Sequence, residues 1–186
     1  IDFNIRAGNT LVGFTSMDEI REALSCDLIK QMELPEIEEQ SEIAARAYAT
    51  FHEMQTKQGM DSREFTEAKQ TLRERLSALE QRLNVYLASA EYGIDANKPK
   101  KFDAWVRSHQ PFHWLVEFYG IMEAGGFSVV IGNPPWKEYA SVKKTYRVTN
   151  ATVESCGNLY AICSERAFSL LETTGRFSFI VQLPLV

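Results

Sequence analysis

The ten residues Phe127-Ser128-Val129-Val130-Ile131-Gly132-Asn133-Pro134-Pro135-Trp136 constrain the fold more than any other stretch of the chain. A short apolar run, β-branched at its centre, breaks into glycine, an amide, two prolines and an aromatic. The run predicts a buried strand, and Gly-Asn-Pro-Pro ends it abruptly. Asn133 and Trp136 then sit on a stiff loop at the carboxyl end of that strand, where ligands bind in open α/β sheets. The prolines fix their own φ angles and restrict the residues before them, so little entropy is left to lose on binding. The side-chain oxygen of Asn133 and the carbonyl of Pro134 can converge as acceptors on one exocyclic amine. Trp136 offers a flat apolar face for a ring to stack on. Together these describe a pocket for a planar amino-heterocycle. The plainer alternative is a proline-rich turn whose Asn caps a strand and whose Trp packs in a core.

Directly after a Phe-x-Val-Val-Ile-Gly strand, Asn133-Pro134-Pro135-Trp136 resembles the catalytic motif of the S-adenosylmethionine-dependent amino-methyltransferases, (Asn/Asp)-Pro-Pro-(Tyr/Phe/Trp). Residues 158–171, Asn-Leu-Tyr-Ala-Ile-Cys-Ser-Glu-Arg-Ala-Phe-Ser-Leu-Leu, resemble the next helix of that family, and Gly175–Val181 the strand after it. Upstream, residues 4–13 resemble the segment these enzymes write as Asn-Ile-x-x-Gly-(Asp/Asn)-Ser-Leu. The wording is most similar to the large DNA adenine-N6 methyltransferases of restriction–modification and phage-defence systems. The resemblance covers about residues 1–14 and 112–186 and is specific in the second block.

What the resemblance implies is an enzyme that takes a methyl group from S-adenosyl-L-methionine to adenine N6 in DNA. Asn133 and Pro134 would be the acceptors against the amine, Pro135 the loop stiffener and Trp136 the platform for a flipped base. Asn9 would contact the cofactor's adenine. The fold expected is α/β, a partial Rossmann-like methyltransferase sheet carrying a long α-helical hairpin insertion. Its parts would be residues 1–14 (the cofactor-adenine segment), 15–122 (the helical insertion) and 123–186 (the catalytic-loop half).

Departures from the pattern bear on this reading. Ser128 stands where the family usually has Asp, and Gln182-Leu183-Pro184 replaces the more frequent end of the later strand. No Gly-x-Gly occurs in the chain, so the glycine loop that cradles the cofactor's methionine is missing from these residues. The opening residue is Ile rather than Met, and the expectation is an internal fragment of an intact enzyme. On that view the 186 residues alone neither bind S-adenosylmethionine tightly nor methylate anything. A strand over Asp2–Arg6 is left without a neighbour, and the sheet edge invites self-association. The 127–131 and 177–183 strands are expected to pair in parallel across a helical crossover.

Between the two blocks the pattern is helical. Ser16-Met17-Asp18-Glu19 has the form of a capping box, predicting a helix toward Lys30 that ends before Pro35. A second helix is expected over about Glu36–Lys57, with Ile37, Ala44, Tyr48, Phe51 and Met54 on one face, stopped by Gly59. Asp61-Ser62-Arg63-Glu64 opens a third, whose seam is Phe65, Ala68, Leu72, Leu76, Leu79, Leu83, Tyr86 and Ala90. The two long helices predict an antiparallel hairpin around Gly59-Met60. It reads as a structural insertion with a mixed-charge solvated face, or as an arm that touches a partner or DNA. Gly93–Lys101 is expected to be a loop with a small solubilising cluster, Lys98, Lys100 and Lys101. Phe102–Val106 and Phe112–Met122 are expected to be helical, their aromatics building core. Residues 137–156 are polar and irregular, and their Lys137, Lys143, Lys144 and Arg147 suggest a mobile flap over the base and phosphates, or a plain surface loop.

The net charge of −5 argues against a chain that binds DNA over its whole surface, so nucleic-acid contact must be local. Three cysteines, Cys26, Cys156 and Cys163, form no Cys-x-x-Cys pair and suit a reducing cytoplasm. His109 and His113 have metal-like spacing, but Pro111 lies between them and no carboxylate motif accompanies them; no metal is expected. No apolar stretch is long enough to cross a bilayer. Two further function classes stay open: protein-glutamine or RNA amino-methylation, which the same motif serves in its family, and a non-catalytic helical interaction module.

Overall fold

The computed structural model describes residues 5–25, 32–56, 62–148 and 151–181. They fall into two compact units, residues 17–102 and residues 1–16 with 103–186.

The helical unit follows from its apolar spacing. Helix α1 is Met17–Ser25, α2 is Leu34–Thr56 and α3 is Ser62–Tyr92. Leu72, Leu76, Leu79 and Leu83 recur at intervals of four, three and four, which keeps them on one side of a 3.6-residue helix, and all four are buried. Each such side chain contributes about 2 kcal/mol of apolar burial. The facing stripe on α2 is Ile37, Ala44 and Phe51, also buried. Phe51 near the end of α2 stacks on Phe65 near the start of α3 at 5.3 Å, and Glu36 at the start of α2 pairs with Arg82 far along α3. The two helices are therefore antiparallel, as their sequences predict. The seam is wider than predicted, because Asn84, Leu87 and Ala88 are buried as well. Helix α2 begins two residues before the expected Glu36, with Pro35 in its first turn, where a missing N–H costs nothing. The predicted stops at Lys30 and Gly59, the turn at Gly59-Met60 and the cap at Asp61 lie outside the described residues.

Helix α4, Pro99–His109, starts within the predicted Gly93–Lys101 loop. Its first residue is a proline, whose fixed φ suits a first helical turn. The predicted Phe112–Met122 helix is instead two short pieces, α5 (Trp114–Glu117) and α6 (Tyr119–Glu123).

Strand β1 is Phe127–Gly132 and pairs in parallel with β2, Leu171–Phe179, through the intervening helix α8, Leu159–Ser169. The register runs Val129 to Arg176, Val130 to Phe177, Ile131 to Ser178 and Gly132 to Phe179, with a shift between Phe127 and Val129. β2 starts four residues earlier than the predicted Gly175; the expected extension over 182–183 lies outside the described residues. The parallel pairing agrees with the sequence reading. The expectation of a buried β1 does not hold: Val129 is 54% and Ile131 77% exposed. Among the described residues β1 has β2 as its single sheet neighbour, so one face and one edge of the run have nothing to pack on.

The strand expected at Asp2–Arg6 lies mostly outside the described residues, and Ile5 and Arg6 are not in a strand. Residues 8–14 are not left without a neighbour. Asn9 forms a parallel bridge with Pro111, and Phe112 N–H donates to the Val12 carbonyl at 2.7 Å.

Candidate active site

Residues 133–136 start where β1 and β2 end together. Ile180 N–H donates to the Gly132 carbonyl at 3.1 Å, so both strands stop at the same level and the chain leaves at Asn133. Gly132 lets the Phe179 ring lie close there. A Cβ at that position would lie 2.8 Å from the Phe179 ring, which lies against the Gly132 backbone. Pro134 is buried, while Asn133, Pro135 and Trp136 are exposed. A cleft of about 340 Å³ opens at this point, lined by Asn133, Pro134 and Pro135 on one side and by Thr10, Leu11 and Trp114 among others. Helix α8 supplies Cys163, Arg166 and Ala167 to the lining. A cavity of this size with mostly apolar walls and a few polar groups suits a flat organic ring.

Two residues of the loop that line the cleft carry acceptors with no partner among the described residues. Among the described residues neither the Asn133 side chain nor the Pro134 carbonyl has a hydrogen-bond partner. Asn9 differs. Its side-chain oxygen accepts from Leu11 N–H at 3.3 Å, its N–H donates to Gln110 O at 2.7 Å and its carbonyl accepts from Val12 N–H at 2.9 Å. Asn9 therefore builds the turn that presents Thr10 and Leu11, and these two, not Asn9, line the cleft. Trp136 does not line it either. Its indole N–H donates to the Ile180 carbonyl at 3.3 Å, which holds the half-exposed ring against the end of β2.

Lys137, Lys143, Lys144 and Arg147 are all exposed and follow the loop directly. Among the described residues the segment that carries them is irregular except for two short helical turns. Tyr139–Val142 forms a short helix, α7, and Glu154–Cys156 a 3-10 turn. Tyr139 N–H donates to Gly157 O at 2.7 Å and Leu159 N–H to Lys137 O at 2.9 Å, closing the segment on itself. Tyr139 is buried with Leu11, Leu159 and Ile162, and Val142, Tyr146, Val148, Ala151 and Val153 pack around them. The polar composition hides this apolar set because its members are spread over fifteen residues without a helix or strand period. Glu165 on α8 accepts from Thr152 N–H at 2.9 Å, from the Thr152 hydroxyl and from Val153 N–H at 3.4 Å. Burial raises its pKa, but these bonds and the nearby Arg166 outweigh that and hold the carboxyl below its ordinary value.

The segment 110–114 is the part of the site that the sequence reading missed. Gln110 adopts φ +45°, which turns its carbonyl onto Asn9. His113 is 1% exposed; its Nδ1 accepts from Phe14 N–H at 3.3 Å, and burial depresses the imidazole to about 3. His109 lies elsewhere, its Nδ1 within 2.8 Å of Ser108 Oγ, so the two histidines do not converge. Trp114 donates from its indole to the Thr10 carbonyl at 3.1 Å. Arg6 and Glu117 add an ion pair at 3.0 Å. The signal available was the pair of glycines at 8 and 13 opposite the compact Pro-Phe-His-Trp cluster, two elements that period-based reading treats as unrelated. Cys163 and Cys156 are free thiols, and burial pushes Cys163 up to about 11, leaving an unreactive thiol in the cleft wall. Cys26 lies outside the described residues.

The family model described as Eco57I restriction-modification methylase matches residues 18–185. The chain belongs to that family. No curated protein and no solved structure matches the methylase. The match spans both compact units, so the helical unit belongs to the methylase family's own pattern rather than standing outside it. No helix among the described residues of the methylase is long and apolar enough to cross a membrane.

Proposed function

We propose that this methylase, in its intact form, transfers a methyl group from S-adenosyl-L-methionine to the N6 amine of adenine in DNA, in a restriction–modification or phage-defence setting. The observation that carries the reading is that Asn133 and Pro134, whose side-chain oxygen and carbonyl are unengaged among the described residues, both line one largely apolar cleft. Family membership supports the chemistry and the DNA substrate.

The amine of adenine is a poor nucleophile because its lone pair is delocalised into the ring. Asn133 and Pro134 each accept one N–H, which favours a pyramidal nitrogen with its lone pair pointed away from the two acceptors. This is catalysis by positioning and electrostatics, with no covalent enzyme intermediate. Pro134 and Pro135 hold the acceptors in place before the base arrives. In a duplex the amine is tied up in pairing, so the base must be flipped out, and Trp136 with its exposed face replaces the lost stacking. Lys137, Lys143, Lys144 and Arg147 lie close in sequence to that ring and carry the local positive charge that phosphates need.

The turn built by Asn9 would meet the adenine of the methyl donor, through Thr10 and Leu11 at the cleft wall. The cleft's size and apolar lining fit a purine ring; when bound, the donor supplies an electrophilic methyl group. No Gly-x-Gly occurs among these residues to hold its methionine end. Residues 17–102 are read as a structural insertion between the cofactor-adenine turn and the catalytic loop.

The test is methyl transfer by the intact enzyme from a labelled donor to duplex DNA, RNA and glutamine-containing peptide, with the product nucleoside identified by mass. N6-methyladenine from duplex DNA alone is the expected result. Label in N4-methylcytosine, in RNA or in peptide would overturn the assignment.

A further inference from the structure

We propose that Trp114 is a positioning residue of the cleft, and the side wall against which the donor's adenine ring is held. The proposal rests on the reading of the cleft given above and adds a residue to it. Trp114 touches both sides of the site. Its indole N–H donates to the Thr10 carbonyl at 3.1 Å, which fixes the turn that lines the cleft. Its ring meets Phe127, the first residue of the strand that leads to Asn133, edge-on at 5.9 Å and 87°.

Three rings lock the indole itself. Phe118 stacks on it at 5.6 Å, Phe112 meets it edge-on at 4.9 Å, and Phe127 closes the third side. The side chain is nonetheless only half-buried, and it lines the cleft together with Asn133, Pro134 and Pro135. A tryptophan packed only as core would have no surface there. A preorganised aromatic wall loses no rotamer entropy when a flat ring arrives. The contact between ring and indole is worth roughly three- to tenfold in affinity.

The experiment compares W114L and W114F in the intact enzyme with wild type, measuring the KM for S-adenosylmethionine, the KM for DNA, kcat and binding of S-adenosylhomocysteine by calorimetry. W114L removes both the ring and the N–H; W114F keeps a ring and loses the N–H. The expected result is a roughly tenfold rise in donor KM for W114L, two- to threefold for W114F, with kcat and DNA KM within about twofold. A purely structural role would instead lower kcat, both affinities and the melting temperature together. W114F, which preserves most of the packed volume, keeps the proposal testable if W114L fails to fold. Wild-type binding of S-adenosylhomocysteine with unchanged donor KM in both variants overturns the Trp114 assignment alone. A rise confined to DNA KM also overturns it, by giving the wall to the target base. Wild-type enzyme that binds no S-adenosylhomocysteine and transfers no methyl group overturns the underlying reading, and the Trp114 assignment with it.

Discussion

Gly13 faces the backbone of Phe112 so closely that a Cβ at position 13 would stand 2.2 Å from the Phe112 carbonyl oxygen. Its φ of +141° is, besides, a conformation that side-chain-bearing residues rarely adopt. This contact joins residues 8–14 to residues 110–114, a hundred positions away, and so sets where Thr10 and Leu11 meet the cleft. Gly13→Ala is expected to cost about 2–4 kcal/mol, the sum of backbone strain and a clash with main chain that cannot swing aside. Urea unfolding measures it; a loss under about 0.5 kcal/mol would show that the approach is looser than described.

His113 makes the same junction sensitive to pH. Its imidazole is neutral when folded, with a pKa near 3, and titrates near 6.5 when exposed. Above pH 6.5 neither state binds the proton and the full stability is present. Below it the unfolded chain takes up a proton that the folded chain refuses, so stability falls by up to about 1.4 kcal/mol per pH unit until the folded pKa is reached. His113→Gln keeps an acceptor for Phe14 N–H and cannot titrate. The variant should show a shallower loss of stability between pH 6.5 and 4 than wild type, and identical slopes would contradict the burial argument.

In the helical unit the decisive burial is Leu79, fully enclosed in the middle of the α3 seam. Leu79→Ala removes apolar area and leaves a cavity, a loss of about 2–5 kcal/mol. Calorimetric melting of the whole chain reads it, and Ser77→Ala on the exposed side of α3 serves as the control, expected within about 0.5 kcal/mol.

Glu165 ties the segment after the Asn133–Trp136 loop to α8 by three bonds. Glu165→Gln retains one acceptor oxygen and should raise amide exchange at Thr152 and Val153 with little change in global stability. Acid should act in the same direction: the carboxyl is held below its ordinary value, so its contribution is full at neutral pH and is lost as pH falls through the folded pKa. Exchange at those two amides that is unaltered in the variant would rule out the clamp.

Legibility in the sequence followed the range of each signal. The α3 seam, β1 and its parallel pairing were readable because each is encoded by a local period or by a turn that stops it. Burial of β1 was misjudged because an apolar run states a demand for cover, whereas cover depends on how many strands lie alongside. The packing within residues 137–156 is illegible for the opposite reason: Tyr139, Val148 and Val153 share a core with no sequence period to announce it. Trp114 packs with Phe112, Phe118 and Phe127 as the core reading expects; that it also lines the cleft is illegible, since a half-enclosed indole gives the same sequence signal as a fully enclosed one. Long-range hydrogen bonds such as Trp114 to Thr10 leave no local trace at all.

Asn133 carries the sharpest prediction. Its amide oxygen is one of two acceptors proposed to meet the adenine amine, and its loss removes half of that electrostatic arrangement without touching the Thr10–Leu11 wall. Asn133→Ala in the intact enzyme should lower kcat by about 100- to 1000-fold, the range for deleting one preorganised hydrogen-bonding group from a transition state. S-adenosylhomocysteine affinity should stay within about twofold, because the lost oxygen acts on the target amine and not on the donor. Asn133→Asp keeps an acceptor at the same place and should retain measurable transfer. Single-turnover methylation with calorimetry of donor binding separates the two effects. Near-parental turnover in Asn133→Ala would remove Asn133 from the chemistry, and a parallel collapse of donor affinity would move it to the donor's side of the cleft.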